Sequence, residues 1–230
     1  MPVQNQEPQL SKPIELVIFD CDGVLVDTER LAVRIDLEVA HELGWELTES
    51  EIVDLFMGKS TASVREILDA RLGPERAELW QRRYRERFAA GLDGLQAVEG
   101  VVAALDAIAD AGLPTCVASS GGHEKMRGTL GRTGLYDRFA GRIYSASEVA
   151  HGKPAPDLFL HAADRMGYDP AVCAVVEDSQ YGVQAARAAG MRAFGFAGGL
   201  SPAGWLEGPG TVLFHHMDEL PGVLKDAAGQ

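Results

Sequence analysis

The sequence predicts an α/β protein in which an all-helical segment is inserted after the first strand of a mostly parallel sheet. From residue 98 onward, segments with helical periodicity alternate with short apolar runs that are typical of buried strands. Between residues 29 and 95, only helical periodicity is found. Because parallel strands are joined by crossover connections, the alternation predicts a sheet with helices on both faces.

The first half of the chain supplies one strand and four helices. The run IELVIFD, residues 14–20, is continuously apolar, as expected of a strand that is covered on both faces. Gly44 ends the first helix, and Thr48 with Glu51 forms a capping pair at the start of the second. Pro74 opens the fourth helix at a position where proline is favoured. The predicted helices span residues 29–44, 48–58, 60–73 and 74–91.

The second half of the chain supplies the remaining strands and their crossover helices. Each helical segment ends at a glycine, and each strand-like run is short and rich in apolar residues. The predicted helices span residues 98–112, 123–134, 155–167 and 181–190. The predicted strands span residues 113–120, 141–146, 171–179, 191–196 and 211–215.

Composition narrows the classes of function. The net charge of -13 leaves no basic surplus for phosphate backbones, so we expect no nucleic acid partner. No apolar run approaches the roughly 18 residues of a membrane span, and residues 1–13 lack the features of a signal peptide. Three isolated cysteines predict reduced core residues rather than disulfides. We therefore expect a cytoplasmic protein without a membrane partner, with a disordered lead-in over residues 1–13. The predicted architecture, a sheet with an inserted helical segment, favours a monomer.

Polar side chains stand at the ends of three predicted strands and in one loop. In parallel sheets, ligands bind outside the carboxyl ends of the strands, so these side chains are expected to converge. Each motif alone has an ordinary explanation as a turn, a helix cap or a solvated lysine, but their joint placement favours a site. The residues are Asp20 and Asp22, Ser119 and Ser120, Glu177 and Asp178, and the loop residue Lys153.

The chemistry of these side chains divides the predicted pocket into a cation half and an anion half. The carboxylates, from Asp20, Asp22, Glu177 and Asp178, can share one place only around a hard cation, and Mg²⁺ prefers such oxygen ligands. Ser119, Ser120 and Lys153 suit an anion instead. Together the halves match a metal-bound phosphate, and phosphoryl transfer needs mainly positioning and charge neutralisation. One aspartate can attack phosphorus while a second carboxylate serves as acid and then base.

Four segments carry a resemblance to a known family. The runs DCDGVLVDTE, VASSG, GKPAPD and VVEDSQYG resemble the four motifs of the haloacid dehalogenase-like hydrolase superfamily. The branch of β-phosphoglucomutase-like proteins and sugar-phosphate phosphatases, which has a helical cap, is the most similar. The resemblance implies a Rossmann-like, doubly wound parallel sheet as the core, over residues 14–28 and 96–230, with a mobile cap over residues 29–95. It also implies dependence on Mg²⁺.

The resemblance further implies a role for each motif residue. Asp20 is expected to be the nucleophile and Asp22 the general acid and base. Ser119 and Lys153 are expected to hold the phosphoryl group. The metal ligands are expected to be Asp20, the backbone carbonyl of Asp22, Asp178 and Glu177, the last bound directly or through water.

Two departures from the mutase pattern favour transfer of the phosphoryl group to water. Ala32 stands where β-phosphoglucomutases have a histidine, and Thr61 stands where they have an arginine. We therefore predict a phosphatase of a small phosphorylated metabolite, either a sugar phosphate or a sugar-acid phosphate. A phosphomutase and a non-catalytic phosphometabolite binder are the alternatives.

Several further residues are candidates for contact with the substrate. Lys59 and Arg87 are candidate substrate-binding residues of the cap, although Arg87 also fits a solvated helix face. His123, Lys125 and Met126 either line the pocket or only begin a helix. The choice of substrate among phosphorylated metabolites is expected to depend on cap side chains.

Overall fold

The computed structural model describes residues 12–57, 59 and 61–228. The predicted disordered lead-in, residues 1–13, therefore lies outside the described residues except for Lys12 and Pro13. Within the described part of the chain, no helix is both long and apolar enough to cross a bilayer.

Six parallel strands form one sheet, in the order β3-β2-β1-β4-β5-β6. The strands are β1 Leu16–Phe19, β2 Thr115–Ser119, β3 Ile143–Ser145, β4 Cys173–Glu177, β5 Arg192–Phe196 and β6 Thr211–Phe214. The first strand is central, and its Ile18 lies in register with Cys116 of β2 and Val175 of β4. All four residues of β1 are buried, because helices cover both faces of the sheet. The predicted α/β class with a doubly wound parallel sheet is confirmed.

The helices between β1 and β2 include the predicted all-helical segment. They are α1 Thr28–Glu42, α2 Glu49–Phe56, α3 Thr61–Leu72, α4 Pro74–Gly91 and α5 Val101–Asp110. Thr48 and Glu51 form the predicted capping box at α2, and Pro74 is the first residue of α4. The first four helices make up the predicted cap; its boundaries at residues 29 and 95 stay a prediction.

The remaining helices lie on the two faces and at the end of the sheet. They are α6 His123–Arg132, α7 Tyr136–Phe139, α8 Asp157–Met166, α9 Gln180–Ala188, α10 Ala203–Leu206 and α11 Leu220–Ala228. The sequence did not predict α7, α10 or α11. The first two are single turns, and α11 contains Pro221 and Gly222, which lower its helical propensity. Burial of Leu220 and Leu224 in the core stabilises α11 despite this composition.

Two apolar cores lie on opposite faces of the sheet, as alternation along β1 requires. Val17 and Phe19 point into one core, whereas Leu16 and Ile18 point into the other. The first core continues without interruption into the cap, where it includes Trp80. Cys21, Cys116 and Cys173 are free and buried, as predicted.

Two short segments connect the cap to the sheet and pair with each other. Val26, before α1, forms an antiparallel bridge with Ala97, which follows the cap. The backbone N–H of Asp27 donates to Gln96 O at 3.0 Å, and that of Val98 donates to Leu25 O at 3.1 Å. The chain therefore leaves and re-enters the core through one small ladder of backbone hydrogen bonds.

Candidate active site

The carboxyl ends of three adjacent strands bring the sequence-predicted residues together. Asp20 follows β1, Ser119 ends β2 and Glu177 ends β4. Because β1 lies between β2 and β4, these three side chains meet at one edge of the sheet. The loop before α8 adds Lys153 to the same edge, since its ammonium group contacts both Asp20 and Glu177.

The centre of the site is a buried lysine that binds two carboxylates. Lys153 Nζ lies 2.6 Å from Asp20 Oδ1 and 2.6 Å from Glu177 Oε1, and it also donates to Ala118 O at 3.2 Å. The side chain of Lys153 is only 5% exposed, and its ammonium stands 4.8 Å from the centroid of the Phe159 ring. Such a buried charge is stable only because its donors are paired with acceptors.

The ionisation of this group of side chains follows from burial and charge. Burial raises the pKa of Asp20 to about 7, although the nearby Lys153 acts in the opposite direction. Burial alone would lower the pKa of Lys153, but the carboxylates of Asp20 and Glu177 outweigh it and hold the pKa above its usual value. Lys153 is therefore a permanent positive charge beside Asp20.

Glu177 is hydrogen-bonded at both of its carboxylate oxygens. Its Oε1 accepts from Lys153, and its Oε2 accepts from the backbone N–H of Ser179 at 2.8 Å and from the Ser179 hydroxyl at 2.9 Å. A Cβ at Gly182 would collide with the Glu177 carboxylate, so only glycine fits there. Both oxygens are thus already engaged. This geometry favours positioning of Lys153 over the metal contact that the sequence suggested.

Asp22 is held at both of its oxygens. The Thr28 hydroxyl donates to Oδ1 at 2.7 Å, and Lys125 Nζ lies 2.8 Å from Oδ2. The sequence left two roles open for Lys125, lining the pocket or only beginning a helix, and its contact with Asp22 favours the first. Its pKa is raised: burial would lower it, but the charge of Asp22 and its hydrogen bond outweigh that effect.

The loop after β2 brings the first predicted serine beside Asp22. The buried hydroxyl of Ser119 accepts from the backbone N–H of Gly121 at 3.2 Å. A Cβ at Gly121 would lie 3.6 Å from Ser119 Oγ and 3.7 Å from Asp22 Oδ2, so both polar groups border the same small volume. Ser120, the second predicted serine, is exposed in the described structure.

Asp178 provides the test of whether the site suits a metal ion. It is only 2% exposed, and its Oδ2 has no hydrogen-bond partner among the described residues. Glu29 lies beside it, also with an unpartnered Oε2, and Gly23 lets the chain pass close to both because a Cβ there would collide with Asp178. Burial raises the pKa of Glu29 to about 7, and burial followed by the charge of Glu29 raises the pKa of Asp178.

These buried carboxyl oxygens suit a cation with a small number of protein ligands. The described residues contain no group of three His, Cys, Asp or Glu side chains arranged as a complete metal-binding set. Mg²⁺ does not require such a set, because it is commonly held by one or two carboxylates together with water and substrate oxygens. Asp20 and Asp178, with the backbone carbonyl of Asp22, fit that requirement.

The cap contributes a cavity of about 460 Å³ to the site region, and Glu29 forms part of its wall. Lys59 also lines the cavity, but its Nζ donates to the carbonyls of Asp54 at 3.0 Å and Leu55 at 2.7 Å, at the end of α2. Its ammonium group is therefore already engaged.

The other cap residue singled out by the sequence does not line the cavity. Arg87 binds Glu42, and its Nη1 lies 3.8 Å from Glu38, so it joins α4 to α1. Arg85, two positions earlier in α4, lines the cavity instead, and the sequence pattern did not distinguish between these two arginines. Ala32 lines the cavity too, whereas the side chain of Thr61 lies outside the described part.

Comparisons with known proteins identify relatives of this chain. Residues 14–190 match the family described as haloacid dehalogenase-like hydrolase. The chain is 32% identical over 214 residues to 6-phosphogluconate phosphatase of Escherichia coli K12, covering 92% of this chain and 95% of that protein. It is 30% identical over 188 residues to hexitol phosphatase B of the same organism, covering 80% of this chain and 84% of that protein.

A solved structure of a similar protein has the same fold as this chain. A HAD family hydrolase from Deinococcus radiodurans R1, crystallised with bound phosphate and sodium, superposes with a TM-score of 0.79. The two chains are 31% identical, and the match covers 94% of this chain and 96% of that one.

The chain belongs to the haloacid dehalogenase-like hydrolases, since the family match covers well over half of its length. The two curated relatives are both phosphatases, so the predicted enzyme class, a phosphoric monoester hydrolase, is confirmed. The resemblance drawn from the four sequence motifs is confirmed as well.

Proposed function

We propose that this enzyme is a Mg²⁺-dependent phosphatase that hydrolyses a small sugar phosphate or sugar-acid phosphate through an aspartyl-phosphate at Asp20. The observation that carries the proposal is the buried Lys153, bound to Asp20 and Glu177 near the unpartnered carboxylate oxygen of Asp178. A fixed positive charge beside a nucleophilic carboxylate, together with a second carboxylate that has an unpartnered oxygen, suits the charge neutralisation that phosphoryl transfer requires.

Each side chain then has one task in the first step. Asp20 Oδ attacks phosphorus, and the ester oxygen leaves with a proton from Asp22, whose carboxyl Thr28 and Lys125 hold in place. Lys153 and Ser119 bind the phosphoryl oxygens, with Ser120 at the exposed side. Glu177 acts as a positioning residue, because it holds Lys153 from the other side.

Water completes the reaction in the second step. Asp22, now ionised, removes a proton from water, which attacks phosphorus and releases Asp20 with inorganic phosphate. When bound, Mg²⁺ neutralises negative charge on the phosphoryl oxygens, and Asp20, Asp178 and the Asp22 carbonyl would hold it.

The substrate class rests on the relatives and on the cap. One relative is named for a sugar-acid phosphate and the other for hexitol phosphates, and both classes combine a phosphate with a chain of hydroxyl groups. A cavity of about 460 Å³ beside the site has room for such a chain. Ala32 on the cavity wall has no group that could exchange a proton with a sugar hydroxyl. This favours transfer of the phosphoryl group to water over transfer to a sugar hydroxyl, as in a phosphomutase. The cytoplasmic location and the monomeric state stay predictions.

Release of inorganic phosphate from a panel of phosphomonoesters tests the proposal. We expect Mg²⁺-dependent release that EDTA abolishes, and a fall of at least 1,000-fold in kcat, roughly the size of losing a nucleophile, in Asp20→Asn. Asp164→Asn, a change at an exposed aspartate in α8, serves as the control and should retain activity.

Other results would assign another function. Activity that persists in EDTA or in Asp20→Asn would contradict the mechanism. Conversion of β-glucose 1-phosphate into the 6-phosphate without free phosphate would establish the mutase alternative. Tight binding of one ester with no turnover of any would establish the binder.

A further inference from the structure

A buried carboxyl in the cap takes no part in the chemistry described above. Asp36, in α1, is 8% exposed and lines the cap cavity. Trp80 Nε1 donates to its Oδ1 at 3.2 Å. Within the described part of the chain, Asp36 Oδ2 has no hydrogen-bond partner, and this oxygen keeps some accessible surface. The free oxygen is therefore reachable from the cavity.

Packing behind Asp36 fixes it in place. The Trp80 ring lies 5.8 Å from that of Trp45 and 5.7 Å from that of Phe56, measured between centroids, and Trp80 is 2% exposed. An indole held by two aromatic neighbours presents its N–H in one direction only. Burial raises the pKa of Asp36 to about 7, and the Trp80 hydrogen bond acts against this rise. A lone carboxyl kept in an apolar wall is costly to the fold, so a ligand is a physical reason for its presence.

The cavity borders the active site at Glu29, which lines it and lies beside Asp178. Burial, followed by the charges of Asp36 and Asp22, raises the pKa of Tyr84, so the phenol of this cavity residue lies within electrostatic reach of both. The Tyr84 ring stacks on Phe88 at 5.8 Å, and Lys125, which binds Asp22, stands 5.9 Å from the Phe88 ring. Side chains in contact thus run from the acid–base residue to the cap cavity.

We propose that the cap cavity binds the uncharged, hydroxyl-bearing end of the substrate and that Asp36 accepts a hydrogen bond from one of its hydroxyl groups. This inference rests on the proposed function and narrows it: the enzyme prefers a polyol phosphate to the corresponding sugar-acid phosphate. A substrate hydroxyl can donate to the Asp36 carboxyl in either of its ionisation states, whereas a substrate carboxylate at this position would face a like charge whenever Asp36 is ionised.

The two cationic residues of the cavity wall, Lys59 and Arg85, do not favour a sugar-acid phosphate over a polyol phosphate. Lys59 has its ammonium turned to the carbonyls at the end of α2. The Arg85 side chain is 65% exposed, and its Nη2 lies 4.0 Å from Glu78. Both charges are therefore at the solvent side. Asp36 lies deeper, between Trp80 and the other apolar residues of the wall.

A matched pair of esters tests this inference. Sorbitol 6-phosphate and 6-phosphogluconate differ only at carbon 1, which carries a hydroxymethyl group in the first and a carboxylate in the second. For the wild type, we expect kcat/KM to be at least tenfold higher for sorbitol 6-phosphate, since a missing partner for a buried polar group is strongly discriminated against. In Asp36→Asn the amide oxygen can still accept from Trp80, while the other oxygen is replaced by an NH₂ donor that suits a substrate carboxylate, so this ratio should fall at least tenfold. Asp54→Asn, which removes an exposed carboxylate in the cap, is the control and should leave the ratio as it is.

Binding measured without turnover separates the two proposals. In the Asp20→Asn background with Mg²⁺, calorimetry should show that adding Asp36→Asn raises the Kd of sorbitol 6-phosphate at least tenfold relative to the Kd of 6-phosphogluconate. If the enzyme hydrolyses esters but the ratio and the Kd do not respond to Asp36→Asn, the cavity inference fails and the phosphatase stands. If no ester is hydrolysed but the Kd responds, the phosphatase fails and the cavity stands. Equal effects of Asp36→Asn and Asp54→Asn would also overturn the inference.

Discussion

Replacing Lys153 with methionine tests the buried group of charges at the centre of the site. The substitution keeps most of the volume of the side chain but removes an ammonium that lies 2.6 Å from each of two carboxylates. These side chains are 9% exposed for Asp20 and 1% for Glu177, so water cannot replace the lost partner. Removing one member of a buried ion pair typically costs about 3–5 kcal/mol. We expect a loss of that size in Lys153→Met at pH 8.

The dependence of this loss on pH identifies its cause. Without Lys153, the pKa of Asp20, already raised to about 7 by burial, rises further. A carboxyl with a folded-state pKa above its unfolded value stabilises the fold below the unfolded pKa, and this contribution is lost as the pH rises through the folded pKa. The deficit of Lys153→Met should therefore be at least about 1.4 kcal/mol smaller at pH 5.5 than at pH 8, which corresponds to one pKa unit at one carboxyl.

Urea unfolding followed by circular dichroism measures this difference, with EDTA present so that bound metal does not mask it. The matched control is Lys12→Met, because Lys12 also pairs with an aspartate, at 3.3 Å, but both side chains are about 60% exposed. No measurable loss is expected there. A deficit below about 1 kcal/mol in Lys153→Met, or an equal deficit at both pH values, would show that the charges are not coupled as described.

Three further predictions concern other parts of the site. Gly182→Ala should displace the Glu177 carboxylate and so release Lys153. We expect kcat in a phosphate-release assay to fall at least tenfold and the urea midpoint of unfolding to fall as well. Normal activity would contradict the role of Glu177. Thr28→Val removes the hydroxyl that lies 2.7 Å from Asp22 while keeping the shape of the side chain, so kcat in the phosphate-release assay should fall more than KM changes. Asp36→Asn should raise the free energy of unfolding in urea by up to about 4 kcal/mol at pH 8.5, because it removes a buried carboxyl with a pKa of about 7 that is ionised at this pH. The gain should be smaller at pH 5.5, where the carboxyl is protonated. A lower free energy of unfolding at pH 8.5 would contradict the burial argument.

The fold was predictable because its signals are local. Alternation of helical and apolar segments predicted the parallel sheet, and the capping residues at Thr48 and Pro74 fixed helix starts to within a residue. The segments that were missed carry contrary local signals. Helix α11 contains Pro221 and Gly222, and only the packing of Leu220 and Leu224 against the core makes it stable. Burial of this kind depends on the tertiary structure and cannot be read from a window of sequence.

The convergence of the site residues was equally predictable, but their pairings were not. Strand ends in a parallel sheet meet at one edge, so Asp20, Ser119 and Glu177 were expected together. Which atom contacts which depends on the height of each side chain above the sheet. Glu177 contacts both Lys153 and Ser179, and no sequence spacing predicts these two contacts.

For Asp36, in contrast, the sequence does contain a signal. Helix α1 buries one face, and Val33, Ile35 and Val39 lie on it. Asp36 is placed three residues after Val33 and three before Val39, which puts a carboxyl among the apolar positions of an amphipathic helix. An ionisable group at such a position costs folding free energy unless it is paired, and Trp80 supplies only one hydrogen bond to it. A charged residue out of phase with the polar face of a cap helix is therefore a physical indication of a ligand contact, and the sorbitol 6-phosphate comparison tests that indication at the residue where it occurs.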